Sequence, residues 1–391
     1  MRLIVVGCGD VGADVKLAGW FNRRFRIVAA VDPDIRKAEW LLGMGLFGWR
    51  RRAQVFAEFA RDEGSRPGGP GHPADLRRAG ADQARGGGQP PAGGQHSPGG
   101  QPRAGGPPQA RAFTSLEEAL ENVAAEAVHL GVPHDLHEPM CRQVAAAGLP
   151  MLSEKPLAHT VESGRRIVEF AERADVQIGI NYQYRYDPNI GRLAAAAREG
   201  SFGEIRLLRV LVPWNRDDGY FTHSSWHASK SRAGGGTLIT QGSHLLDAAL
   251  WITDDRAARA HAATRTTRPA AGEVEDLAVG IVELARGGII EIASTMSVYP
   301  EQPLRIEIYG SRGSAEYAVG GRLRVRGCRL PKVTPAAPGL HPTFRSLEGF
   351  RRWIAGGAEY LCTARDALAT LGVVHALYQA AESGRAQEVS A

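Results

Sequence analysis

Cysteine is scarce in this chain: Cys8, Cys141, Cys328 and Cys362 are the only four in 391 residues. No two form a CxxC pair and four are too few for a disulfide framework, so the spacing points to a reducing compartment and a cytoplasmic protein. Long apolar runs are missing as well. The Leu3–Val6 run meets glycine at once, with neither the length of a signal-peptide core nor a small-residue cleavage site. No later run approaches the roughly 18 apolar residues of a membrane helix, so a soluble chain with no membrane partner is expected. Nor is there an excess of one charge outside a single segment. The formal charge is +5, but residues 65–111 alone hold six arginines against two acids. The rest is close to neutral, which argues against a nucleic-acid partner. No metal site is expected.

That same segment lacks core-forming side chains. It holds 13 Gly and 9 Pro in 47 residues, with Leu76 as its one large aliphatic residue. Such a composition cannot bury enough apolar surface to offset the entropy of ordering, so 65–111 is set aside as a low-complexity, disordered insertion. Its Arg/Gly/Pro/Ala/Gln bias is also what a GC-rich gene yields when read in a shifted frame.

On either side the pattern is α/β. Leu3–Val6 reads as a strand, 10–22 as a helix, and Ile27–Val31 as a second strand closed by Asp32-Pro33. After the segment, 115–122 reads as a helix capped by Thr114 or Ser115, 127–131 as a strand, 137–147 as a helix and 150–153 as a strand. This alternation predicts a doubly wound parallel sheet over 1–157. Beyond residue 158, two helical stretches precede longer β-type runs at 205–212, 277–284, 288–297 and 304–309. These predict a second α+β domain, 158–391, on a mostly antiparallel sheet, with a last helix at 366–382 packed back on the body.

The first strand delivers Gly7-Cys8-Gly9-Asp10-Val11-Gly12, a GxGxxG that opens a helix. Such glycines serve a tight turn, close approach to a pyrophosphate, and helix packing, with the phosphates on the helix N-terminus. Asp32 lies 20 residues after Gly12 at the end of the second strand, placed to accept from the adenosine ribose hydroxyls. A carboxylate there repels a 2′-phosphate, so NAD(H) is favoured over NADP(H), with Arg36 and Lys37 nearby to soften the preference.

Two segments carry reaction chemistry. Ser153-Glu154-Lys155-Pro156 ends a strand at the carboxyl edge of the first sheet, where ligands sit in open α/β sheets. A partly desolvated lysine there is suited to hydrogen-bond a substrate oxygen and share a proton. An ordinary surface lysine before a turn proline is the alternative. The second segment runs from Gly234-Gly235-Gly236 to Asp247. If it is helical from about Thr237, then Thr240, His244 and Asp247 share one face. A helix with one satisfied histidine is the bland reading. Trp214, Asn215, Arg216, Tyr220, Trp226, His227 and Lys230 precede the glycines, and their aromatic faces and cations suit a sugar with a phosphate or uronate group.

In the same order, Gly7–Gly12, Asp32, 133–137, Glu154-Lys155-Pro156, the 234–247 run and 306–313 resemble the Gfo/Idh/MocA oxidoreductases over nearly the whole chain. The resemblance implies an N-terminal Rossmann domain and a C-terminal open-faced sheet. It also implies hydride transfer between nicotinamide and a carbinol of a sugar, cyclitol or sugar nucleotide. By it, Lys155 and His244 are the catalytic pair, with Thr240 positioning substrate. Gly7 to Gly12, Asp32, Pro133, His137, Glu154 and Lys155 face the cofactor. Lys155, Tyr184, Arg185, Trp226, Thr240 and His244 face substrate, and the protein is a homo-oligomer, dimer or tetramer, joined through the C-terminal sheet. Where many members carry Asp four residues before the histidine, this chain has Thr240, which cannot act as a carboxylate base. Two other readings are a family member that cleaves glycosides with bound NAD, and a non-catalytic NAD-binding regulator.

Overall fold

The first strand, β1 (Arg2–Val6), buries Leu3, Ile4, Val5 and Val6 completely, as a strand covered on both faces must. A computed structural model describes residues 1–22, 24–45, 109–337 and 341–390. The low-complexity segment lies outside them except at its end, where Arg111 opens β3 (Arg111–Phe113). The expected boundary at 111 therefore reaches into the sheet.

Among the described residues six parallel strands form the first sheet: β1, β2 (Arg26–Val31), β3, β4 (Ala127–Leu130), β5 (Met151–Ser153) and β6 (Ile178–Ile180), in the order β3-β2-β1-β4-β5-β6. This is the 3-2-1-4-5-6 doubly wound arrangement, which leaves a crevice outside the carboxyl ends of β1 and β4. Helices α1 (Asp10–Phe21), α2 (Ile35–Gly43), α3 (Leu116–Asn122), α4 (His137–Ala146) and α5 (Val161–Ala174) connect the strands. Their starts are chemically marked. Asp34 accepts from the Arg36 N–H at α2, Ser115 from Glu118 at α3, and Thr160 from Ser163 at α5. The sheet does not end at residue 157: α5 and β6 continue it to Ile180, because β6 pairs with β5. The short Ile178-Gly179-Ile180 run gives little strand signal by itself.

The second sheet has eight strands, β13-β12-β11-β7-β10-β9-β8-β14. Four of them, β7 (Ile205–Pro213), β9 (Leu277–Leu284), β10 (Ile289–Thr295) and β11 (Arg305–Gly310), answer to the expected runs. Another four, β8 (Ala257–Arg265), β12 (Ser314–Ala318), β13 (Leu323–Arg326) and β14 (Gln387–Glu388), were not anticipated, being alanine- and arginine-rich or short. All pairings are antiparallel except β7 with β10. Along β9 burial alternates, so Ala278, Gly280, Val282 and Leu284 face inward and Val279 and Ile281 outward. Helices α7 (Ser243–Thr253) and α9 (Ala364–Ser383) cover the inner face, α6 (Pro188–Arg198) packs on α7, and α8 (Pro342–Ile354) packs towards α1 of the first domain. A Thr363/Asp366 capping box starts α9. Among the described residues no helix is long and apolar enough to cross a membrane.

Candidate active site

The glycine turn between β1 and α1 is built for close approach. Gly7 has φ +83, and a Cβ on it would stand 2.0 Å from the Gly131 carbonyl oxygen of the neighbouring β4 end. A Cβ on Gly12 would meet the Gly7 oxygen at 2.5 Å, so α1 can lie against β1 only without a side chain there. Gly9 differs: no atom lies within 4 Å of its Cβ position, leaving open backbone at the N-terminus of α1. Two close-packed glycines flanking an open one make the cradle that a pyrophosphate needs. Asp10 is exposed, Val11 half-buried, and Cys8 buried with its thiol on the Val31 carbonyl.

Asp32 closes the cradle. Its carboxylate accepts from the Cys8 N–H at 3.0 Å and the Asp34 N–H at 3.0 Å. Burial pushes its acid up, and these two N–H groups oppose that shift. Arg36 directs its guanidinium onto Asp34 at 2.9 and 2.7 Å. Half-buried Pro133 stands where β4 leads into α4.

His137 departs from its expected role. Both ring nitrogens sit against backbone carbonyls, of Leu157 at 3.3 Å and Val132 at 3.1 Å, and the residue is fully buried. It ties the loop after β4 to the segment after Lys155, with no nitrogen left for a ligand. His134, three residues earlier, was not among the expected site residues. Its buried Nδ1–H donates to Ala233 O at 2.7 Å and its ring meets Trp226 edge-on at 4.8 Å, joining the first domain to the second. A histidine beside Pro133 was the available signal. Glu154 is likewise engaged: Asn181 donates to its carboxylate at 2.6 Å and His129 stands 3.5 Å away. Burial would raise its acid, but these partners and Lys155 hold it below the usual range.

Lys155 follows across a cis peptide to Pro156. Its ammonium donates to the Thr240 carbonyl at 2.6 Å. Burial pushes its pKa down to about 8, with Arg216 adding to the effect against Glu154.

The glycine run explains why Thr240 stands there. A Cβ on Gly236 would lie 1.8 Å from the Glu275 carbonyl oxygen, and one on Gly235 2.2 Å from the Tyr378 hydroxyl. Only bare backbone passes between these neighbours. The Glu275 carboxylate accepts from the Gly236 and Leu238 N–H groups at 2.8 and 2.9 Å and from Tyr378 at 2.8 Å. From this anchor the chain forms a π-helical turn, Leu238–Gly242, before α7. A π-turn inserts a residue into the helical ladder and re-aims the side chains beyond it.

His244 and Asp247 remain at i and i+3 on α7 with Thr240 in the π-turn before them, but the polar side-chain atoms of Thr240 and Asp247 are already engaged. The Thr240 hydroxyl donates to the Gly236 carbonyl at 2.6 Å, so this residue serves Lys155 through its own carbonyl. Asp247 is fully buried and takes a two-pronged contact from Arg185, at 2.8 and 2.7 Å, plus the Thr370 hydroxyl at 3.0 Å. Arg185 spends its third nitrogen on the Leu361 carbonyl. Its role is structural, which corrects the expectation that it binds substrate.

His244 remains. It is buried, makes no hydrogen bond among the described residues, and its Nδ1 has no partner. Tyr184 and Trp214 meet it edge-on, with ring centroids 5.4 and 6.1 Å away. Burial, then the charges of Lys155 and Arg216, hold its pKa well below the usual value, so the imidazole is neutral at pH 7. Arg216 lies over the rings of Trp214 at 5.0 Å and Tyr220 at 5.8 Å. Trp226 and His227 stack beside Tyr220. Lys230 turns away to Glu382.

A parallel 3-2-1-4-5-6 sheet with a glycine cradle and Lys155 at its carboxyl edge, joined to an open-faced-sheet domain whose helix α7 bears His244, defines a two-domain dinucleotide-dependent oxidoreductase architecture. Residues 104–182 match the model of the oxidoreductase family with NAD-binding Rossmann fold, and 190–316 that of the GFO/IDH/MocA C-terminal domain. The chain belongs to the Gfo/Idh/MocA family. It is 28% identical over 191 residues to inositol 2-dehydrogenase of Corynebacterium glutamicum, a match covering 48% of this chain and 53% of that protein. To 1,5-anhydro-D-fructose reductase of Ensifer adhaerens it is 26% identical, over 71% of this chain and 84% of that one. The chain thus spans about half the length of the first relative and most of the second. Its fold is similar to that of the WlbA dehydrogenase of Bordetella pertussis, solved with NADH and UDP-GlcNAcA (TM-score 0.72, 22% identity, covering 100% of this chain and 99% of that one).

Proposed function

We propose that this protein is an NAD-dependent oxidoreductase that interconverts a carbinol and a carbonyl on a sugar, cyclitol or sugar nucleotide. The observation that carries the reading is the pairing of a partly desolvated Lys155 with a neutral, unpartnered His244 at the carboxyl edge of a sheet bearing an open glycine cradle. Bound nicotinamide supplies the hydride acceptor or donor. Gly7 to Gly12 hold the pyrophosphate on the N-terminus of α1, and Asp32 accepts from the ribose hydroxyls. Its carboxylate disfavours a 2′-phosphate, and Arg36, bound to Asp34, does little to offset this; NAD(H) is therefore preferred over NADP(H).

In the oxidative direction His244 takes the hydroxyl proton on its free imidazole. Lys155, still protonated at neutral pH, donates to the same oxygen and stabilises the charge that builds there. The Thr240 carbonyl aims Lys155, replacing the positioning that a hydroxyl was expected to provide. Tyr184 and Trp226 offer ring surface to the sugar. The relatives' names, an inositol dehydrogenase and an anhydrofructose reductase, agree with a polyhydroxylated substrate.

Lys155→Ala and His244→Ala are expected to lower kcat by about 100-fold or more while leaving the NADH dissociation constant within about twofold, measured by turnover on a polyol and sugar-nucleotide panel and by fluorescence titration. NADPH should bind less tightly than NADH in the same titration. NADH binding without turnover of any panel member would favour the regulatory reading instead.

A further inference from the structure

A hollow of about 680 Å³ is lined by Tyr184 and Trp214, whose ring edges meet the His244 imidazole, while His244 itself is not part of its lining. That volume lies within the roughly 300 to 1,000 Å³ of pockets that enclose drug-sized ligands, more than one sugar ring requires. Its far wall is formed by the β12–β13 hairpin around Tyr317 and by the start of α8, with His341 and Arg345.

The charges on this wall are unequally committed. Asp187 is buried, and its carboxylate accepts from the Asn189 and Ile190 N–H groups and from the Tyr317 hydroxyl. Glu301 accepts from the Asn215 N–H and stands 3.5 Å from Arg216. Both acids are satisfied. The half-buried Arg345 guanidinium makes no hydrogen bond or ion pair among the described residues. His341 accepts the Thr343 N–H on Nδ1, which puts its ring proton on Nε2 as a further donor. The wall thus holds two carboxylates with partners of their own, one uncommitted cation and one uncommitted donor, in a hollow that shares Tyr184 and Trp214 with the surroundings of His244.

We propose that this hollow is a second subsite, which takes an anionic substituent of the substrate remote from the reacting carbinol and holds its phosphate or carboxylate on Arg345. The inference rests on the functional reading above and narrows it from sugars in general to acidic or phosphorylated sugars. Arg345 reads two acceptor oxygens with its planar fork, and His341 adds a third contact. The rings of Tyr184 and Trp214 carry the neutral part of the ligand across the gap. Arg345 is a specificity residue and takes no part in the hydride step.

The test is calorimetric titration of the full, NADH-saturated protein with matched probes: glucose, glucose 1-phosphate, glucuronate and UDP-glucose, and inositol with inositol 1-phosphate, using inorganic phosphate as control. At least one charged member should bind about tenfold or more tightly than its neutral parent. Phosphate against carboxylate probes shows which anion is read. Arg345→Gln should remove most of that advantage without changing NADH or neutral-sugar binding, and Arg345→Lys should retain part of it. Equal binding of charged and neutral members, an equal loss of both in Arg345→Gln, binding by inorganic phosphate alone, or binding of no probe overturns the subsite. Hydride transfer to or from neutral sugars without an anion preference would sink the subsite and leave the functional reading intact. Anion-selective, Arg345-dependent binding with no hydride transfer in any probe would do the reverse.

Discussion

At the residue scale, Lys155 and His244 owe their usefulness to burial, which moves both pKa values downward. Lys155, at about 8, is charged below that pH and loses its proton above it. His244 stays neutral until the pH falls well below its ordinary value of about 6.5. A protonated lysine and a neutral histidine therefore coexist across a window closed by pH 8 on the alkaline side. The kcat/KM profile for carbinol oxidation should be flat through neutrality, fall above about pH 8, and fall again only in acid. In Lys155→Arg the residual activity should lose its alkaline limb, since a guanidinium stays charged there; a limb left at pH 8 would assign it to another group. Lys155 and His244 stood out in the sequence as candidates because each sits in a short motif at a strand end or after a glycine run. Arg185 and Thr240 were misread because nothing in their neighbourhood reveals the partners that consume their polar atoms, Asp247 being 62 residues away and Gly236 four.

At the element scale, the π-turn and α7 hold the histidine in place, and two buried anchors hold them. Glu275 caps the glycine turn, and Arg185 grips Asp247 one turn beyond His244. Breaking a buried ion pair strands a charge, so Asp247→Asn should cost on the order of 3 to 5 kcal/mol, read from urea unfolding. Its effect on chemistry should follow as a loss of kcat from a displaced His244. A variant as stable as the parent would mean that Arg185 finds another acceptor. Among helices, α3 was legible because Ser115 marks its start, whereas α2 and α8 were not expected from the sequence. The alanine- and arginine-rich β8 was not, because Ala257–Arg265 lacks the β-branched alternation by which strands are recognised.

At the scale of the whole molecule, no described element covers the outer face of the second sheet. Leu211, Val279, Ile281, Ile289 and Tyr309 are each at least 37% exposed on it, around an Arg209 that bridges Glu291 and Glu307. A run of apolar side chains with paired charges has the chemistry of a surface that a second copy of the same sheet could cover. Val279→Asp with Ile281→Asp should shift the species in sedimentation velocity to monomer with circular dichroism unchanged; a native chain that sediments as monomer would overturn this assignment.

By itself the sequence determined the doubly wound first sheet, the glycine cradle with Asp32, and the positions of Lys155 and His244 as candidates, because each is written in local periodicity or in a motif a few residues long. Tertiary structure decided which polar groups stay free to react. That outcome depends on partners distant in the chain: Asp247 claims Arg185, the Val132 and Leu157 carbonyls claim His137, Asn181 claims Glu154, and among the described residues no protein group claims His244 or Arg345. Hydrogen-bonding capacity is finite, and only the folded chain reveals where it has been spent.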